Sequence, residues 1–430
     1  MHARLYSILP VLLIILTTPV PAVADGALPT ARPAEAGFSP ERLGHLDATM
    51  QRLVAEQELY GVVTMAARHG KVFHHKAVGM RDQAAGEPMT PDTIFRIYSM
   101  TKPIIGVAMM ILYEEGKWKL DDPIHKYIPE FRDLKVYAGE NKSGDLILKE
   151  PDHAPTLREL MTHSAGFTYG AFGNTPVDKL YTEKNVLDAN SSLSDMIDKL
   201  AGIPLLYQPG TRWVYSVSVD IQGYLVEKLS GRSLPEFLEE RIFEPLDMRD
   251  TGFYVPEAKR DRFAQLYGWD EEKQMLQPAR GDRFGAADYN SPPSLSSGGA
   301  GLVSTARDYL RFSQMLLNGG KLGNVRILAP ATVVLLRADH LPAGMNVYPG
   351  VGFGLDFAVI TDPVRAGTLT GKGTYYWGGA AGTWFWIDPE HDIVFIGMIQ
   401  RMGAGAPGSP LDIRHLTVTA LYQALVEPEK

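Results

Sequence analysis

Cysteine is absent from all 430 residues. Its absence excludes disulfide cross-links, thiol chemistry and a cysteine-linked lipid anchor. An excess of basic charge is missing as well. Lys and Arg total 42 against 50 for Asp and Glu, a formal charge of −8. That balance argues against nucleic acid or an anionic membrane as the main partner, since both need a basic face. Internal repeats and long runs of one charge sign are lacking. So are an H-E-x-x-H zinc motif and a G-x-S-x-G elbow; "GRSLP" at Gly231–Pro235 comes nearest and lacks the second glycine. What is present is a globular composition, 45% hydrophobic and 21% charged, sufficient for a packed core in one large domain or two ordinary ones.

The N-terminal stretch "MHARLYSILPVLLIILTTPVPAVADG" has a basic start at Arg4, an apolar run, and small residues Ala22-Val23-Ala24 before Asp25. This is the build of a secretory signal covering residues 1–24. Pro10, Pro19 and Pro21 break the apolar run, so it is too short to span a bilayer comfortably. The expectation is a periplasmic or secreted protein with no integral membrane association after cleavage. Beyond it, Ser39-Pro40 opens a helical pattern. Two β-rich strands follow, joined by a turn at His69-Gly70. Strand patterns return in "TYYWGGAAGTWFWIDPEHDIVFIGMIQR", with a turn at residues 388–392. A helix of roughly 411–425 closes the chain. The long middle reads as helices broken by Pro and Gly loops. These patterns predict an α/β (α+β) fold, as one domain over 25–430. A mainly antiparallel sheet is built from both chain ends, about 35–95 and 346–430. A mainly helical subdomain spans about 96–345, with a ligand cleft between the two parts.

Inside that middle, "FRIYSMTKPIIGVAMMILYEEG" places Ser99 three residues before Lys102 at the start of an apolar helix. Residues three apart on a helix share a face, and Pro103 is tolerable only in a first turn. A serine hydroxyl needs a base before it becomes a nucleophile. A lysine becomes such a base when burial disfavours its charged form. The motif alone is weak, because a chain of this length holds on the order of one S-x-x-K match by chance.

The surrounding blocks supply context. "FRIYSMTKP", "TLRELMTHSAGF", "PGTRWVYSVSVDIQGYLVEKLSG", "SGGAGLVSTARDYLRF" and "YYWGGAAGTWFWIDPEHDIVFIGM" resemble, in order, segments of the serine β-lactamase and penicillin-binding-protein superfamily. The likeness is to its class C-like branch, and in particular to family VIII carboxylesterases of the W-G-G type. The resemblance implies an acyl-enzyme mechanism with Ser99 as nucleophile, Lys102 as base and Tyr215 as proton relay. Tyr215 lies 215 − 99 = 116 residues downstream. It further implies an oxyanion hole from the amides of Ser99 and Ala380. Substrate would bind along Trp377, Gly378, Gly379 and Val217, with the two glycines admitting it closely to the strand edge.

Two positions depart from the β-lactam-binding pattern. Trp377 stands where that pattern has a cation, and Val217 replaces the asparagine that hydrogen-bonds a substrate amide. A site lacking those partners discriminates poorly for groups that need them. The implied substrate is therefore a small carboxylic ester. A β-lactamase or D-Ala-type peptidase, an acyltransferase and a non-catalytic penicillin-binding-like protein are the alternatives. No metal or organic cofactor is expected. "GAGAPG" at 403–408 matches G-x-G-x-x-G, but too little chain follows for a dinucleotide fold. His163 reads as a loop-stabilising hydrogen-bonder, and His74-His75 alternate faces of a strand and so cannot easily share an ion.

Overall fold

A computed structural model describes residues 26, 28–279, 289–405, 409 and 411–427. The signal-like stretch expected over 1–24 and part of the 403–408 glycine stretch lie outside these residues. Helix α1 (Pro40–Ala55) starts where Ser39 accepts the Arg42 amide and Pro40 fills the first turn. It buries Leu43, Leu46, Met50 and Leu53, a stripe at helical spacing.

The main sheet comes from both ends of the chain. Strands β1 (Gly61–Arg68), β2 (Lys71–Asp82) and β3 (Glu87–Pro88) supply one half. The other half is β4 (Val351–Phe353), β5 (Ala358–Ile360), β6 (Tyr375–Gly378), β7 (Trp384–Asp388) and β8 (Ile393–Met398). Their order is β4-β5-β6-β7-β8-β1-β2-β3, with every pairing antiparallel. The two halves meet where Val63 pairs with Met398 and Arg68 with Ile393. The β1–β2 turn is tight because both His69 and Gly70 adopt positive φ, 53° and 68°. The β7–β8 turn is held by Asp388, whose carboxylate accepts the amides of Glu390 and His391.

Four further helices position the site. They are α2 (Thr101–Glu114), α3 (Ser218–Ser230), α4 (Ala306–Leu317) and α5 (Ile413–Tyr422). Helices α1 and α5 pack together on one face of the sheet, around Trp384, Trp386 and Phe395. Helix α4 lies against β8 and β1 from the other side, and α2 packs on α3. Every residue of α2 from Thr101 to Leu112 is buried, as expected of a helix apolar all round.

The middle is less uniformly helical than its spacing predicts. It contains ribbons at Val136–Glu140 with Leu146–Lys149 and at Tyr267–Asp270 with Met275–Pro278. Local turn chemistry explains both. Asn141 Oδ1 accepts the amides of Ser143 and Asp145, and Asp270 Oδ1 accepts those of Glu272 and Lys273, turning the chain back on itself. Among the described residues no helix is long and apolar enough to cross a membrane.

Candidate active site

Ser99 sits in a single 3₁₀ turn, Tyr98–Met100, between a short strand and α2. The strand, Phe95–Arg96, pairs antiparallel with Val303–Ser304. Leu302 O then accepts the Ile97 amide at 3.0 Å, and Tyr309 on α4 donates to Met100 O at 2.8 Å. Tyr98 is forced to φ +43°, a left-handed conformation uncommon for a bulky residue. The serine is thus presented on a sharp corner clamped from both flanks.

Lys102 follows on the first turn of α2 and is 1% exposed. Its Nζ donates to Gly299 O at 2.7 Å and lies 3.4 Å from both Ser99 Oγ and Tyr169 OH. The Tyr215 ring stands over the same ammonium, 4.5 Å from Nζ to the ring centroid. The fold therefore brings Ser99, Lys102 and Tyr215 to one place despite their separation in sequence. Two aromatic neighbours, Tyr169 and Tyr215, and a carbonyl surround Nζ, and among the described residues no carboxylate forms an ion pair with it.

Tyr215 is held by its flanks. Val214 donates its amide to His163 O at 2.9 Å, and Ser216 donates its own to His163 Nδ1 at 3.3 Å. Nδ1 is thereby an acceptor, which leaves the proton on Nε2. Burial and the charge of Lys102 hold His163 well below its ordinary range, so the ring is neutral. It acts as a clamp, the role its sequence position suggests. Trp377 on β6 donates from its indole to Tyr215 OH at 3.4 Å.

The remaining residues assigned to substrate fare differently. Trp377 packs against Tyr215 and Phe353, ring centroids 5.5 Å away in each case. Val217 is fully buried in the main core and offers no accessible surface. At the two glycines protein atoms occupy the place of a side chain. A Cβ on Gly378 would sit 2.2 Å from the Arg414 guanidinium, and one on Gly379 would sit 2.3 Å from Ile97 O and Thr383 Oγ1. A side chain is therefore excluded at both positions by protein atoms. Ala380 lies just past β6, in a turn where Gly379 donates to Thr383 O and Gly382 to Gly379 O.

Three participants escaped the sequence reading. Tyr169 is stacked on Tyr215 at 5.6 Å and within reach of Lys102. Asp220 on α3 and Asp356 in the β4–β5 loop are both fully buried acids that feel the Lys102 charge. A signal existed for the α3 residues: Ser218, Asp220 and Gln222 are polar within a helix whose neighbours Val219 and Ile221 are apolar, and all five are buried. Among the described residues no His, Asp and Glu group could hold a metal.

Comparison with known proteins agrees with this geometry. The sequence profile of the Beta-lactamase family matches residues 46–418. An uncharacterized Mycobacterium tuberculosis protein is 37% identical over 355 residues, 80% of this chain and 86% of that protein. The esterase EstB of Burkholderia gladioli is 33% identical over 355 residues, 79% of this chain and 86% of EstB. Among solved structures, EstCE1, a hydrolase with promiscuous acyltransferase activity, aligns with a TM-score of 0.74 at 28% identity, over 89% of this chain and 99% of its own. With its two-ended antiparallel sheet, its serine-bearing corner and a profile match across most of its length, the chain belongs to the beta-lactamase family.

Proposed function

We propose that this protein is a serine hydrolase that cleaves small, uncharged carboxylic esters through an acyl-enzyme. Ser99 Oγ attacks the ester carbonyl carbon while its proton passes to Lys102 and Tyr215. Negative charge collects on the carbonyl oxygen, which the amides of Ser99 and Ala380 receive, each donor contributing on the order of 3 kcal/mol. The C–O bond to the alcohol then breaks, and Tyr215 returns the proton to the departing oxygen. Water repeats the cycle on the acyl-enzyme and releases the acid.

The observation that carries this reading is the buried Lys102 Nζ lying 3.4 Å from Ser99 Oγ and directly under the Tyr215 ring. The surroundings support an ester in place of a β-lactam. The approach is aromatic, formed by Tyr169, Phe172, Tyr215 and Trp377, and Phe172 is 61% exposed at its rim. Trp377 offers one neutral N–H where a carboxylate-bearing substrate needs a cation. Acyl transfer to a second alcohol is the alternative outcome of the same intermediate. We also propose export, on the strength of the signal-like residues 1–24 and the lack of cysteine.

Intact mass after incubation with activated esters tests the mechanism: one acyl adduct on the wild type and none on Ser99→Ala. Faster turnover of nitrocefin than of p-nitrophenyl butyrate would replace the esterase assignment with a β-lactamase. A competing alcohol that raises ester product above acid would favour the transferase. N-terminal sequencing of protein from the periplasm or medium tests export; material retaining Met1 would sink it.

A further inference from the structure

Asp220 is a buried acid that the proposed steps do not use. Its Oδ1 accepts from Ser297 Oγ at 2.6 Å and from the Gly299 amide at 3.0 Å. The carbonyl of the same residue accepts from Lys102 Nζ at 2.7 Å. One residue, Gly299, thus joins the acid to the lysine through the two peptide groups that flank its Cα. Position 299 has to be glycine, since a Cβ there would lie 2.4 Å from Asp220 Oδ2 and 2.6 Å from Tyr169 OH.

We infer that Asp220 is a positioning residue for Lys102: as a carboxylate it anchors Gly299, whose carbonyl holds Nζ beside Ser99, and it balances the charge that Lys102 gains on taking the serine proton. The inference rests on Lys102 acting as the base.

The charge assignment follows from counting donors. The groups facing Lys102 are Ser99, Tyr169, Tyr215, His163, Asp220 and Asp356. His163 is neutral. Ser297 and Gly299 both donate to Asp220, which lies in the first turn of α3 where the helix dipole favours negative charge. Asp356 has a single donor, Gln222 Nε2 at 3.0 Å. Burial pushes both acids above the ordinary carboxylate range, Asp356 well above it. Asp356 is accordingly the acid that keeps its proton, and Asp220 the one that ionises.

The test is the pH profile of kcat/KM for p-nitrophenyl butyrate, which reports the free enzyme's base. Asp220→Asn keeps an acceptor for Gly299 but removes the charge. The ammonium then loses its counter-charge and gives up its proton more easily. The acid limb should move about one pH unit lower while the plateau falls. Ser297→Ala weakens the carboxylate without removing it, so it should move the limb the same way by less, and it carries the test if the asparagine variant does not fold. A lower plateau with an unmoved limb would reduce Asp220 to a structural role, and a limb moved upward would reverse the assignment. Wild type without turnover that Ser99→Ala abolishes would instead remove the ester reading itself, and this inference with it.

Discussion

Around Asp247 and Asp308, each buried carboxylate oxygen meets an arginine, an amide or a hydroxyl. Asp247 accepts from Arg249 and from Arg307. Asp308 accepts from Arg307, the Asp250 amide and Thr251 Oγ1. Around Lys102, by contrast, Asp220 Oδ2 and Asp356 Oδ2 are buried without a hydrogen-bond partner, as is the amide oxygen of Gln222. Both clusters lie inside one molecule and both bury charge. The first ties α4 to the loop at 247–251 and has nothing left to do. The second keeps a cation and two acids close without closing an ion pair, which costs stability and leaves protons free to move. Satisfaction of hydrogen bonds, more than burial of charge, separates the Asp247–Asp308 cluster from the one around Lys102.

The comparison can be broken at either end. Lys102→Met should lower kcat/KM for an activated ester by about 10³-fold or more, with less loss of stability than any break in the first cluster. A variant that is active would deny Lys102 its role. Asp247→Ala removes a buried carboxylate from beside Arg249, Arg307 and Arg311 and places alanine at φ +55°. It should cost about 3 kcal/mol in urea unfolding while leaving turnover of the folded fraction within a few-fold; a large kinetic defect would show that the clusters are coupled.

Asp308 sharpens the contrast through pH. Burial pushes its carboxyl from 3.8 up to about 6. Between those values the folded chain holds a proton that the unfolded chain releases, so the residue's contribution to stability falls as pH rises from about 4 to about 6. Asp308→Asn removes that dependence. Relative to wild type, the variant should gain on the order of 2–3 kcal/mol between pH 4 and 7. A constant difference would mean that Arg307 and the Asp250 amide already offset the burial. The smallest effect belongs to Trp377→Phe, which deletes a 3.4 Å donor to Tyr215 and should lower kcat/KM by less than about tenfold.

Much of the scaffold was readable from short-range pattern. The His69-Gly70 and 388–392 turns, helix α1 with its Ser39 cap, and the pairing of strands from both chain ends all follow from local periodicity and turn residues. The ribbons near 136–149 and 267–278 were not seen, because short polar strands carry little periodicity and their Asx turns resemble ordinary loops. At the site, Ser99 and Lys102 are legible because a helix turn makes them neighbours. At Gly378 and Gly379 nothing local reveals that Arg414 from α5 and the Ile97 carbonyl stand where a Cβ would lie.

The order of residues alone determined helix α1, the two tight turns and the closeness of a serine and a lysine at the start of α2, because each depends on contacts within a few positions. Only the tertiary structure decided that Tyr215 lies over that lysine, that Tyr169, Asp220 and Asp356 join it, and that Val217 does not face the cleft. Those outcomes rest on packing between segments far apart in the chain, where the burial and hydrogen bonding of each group depend on partners that no local pattern specifies.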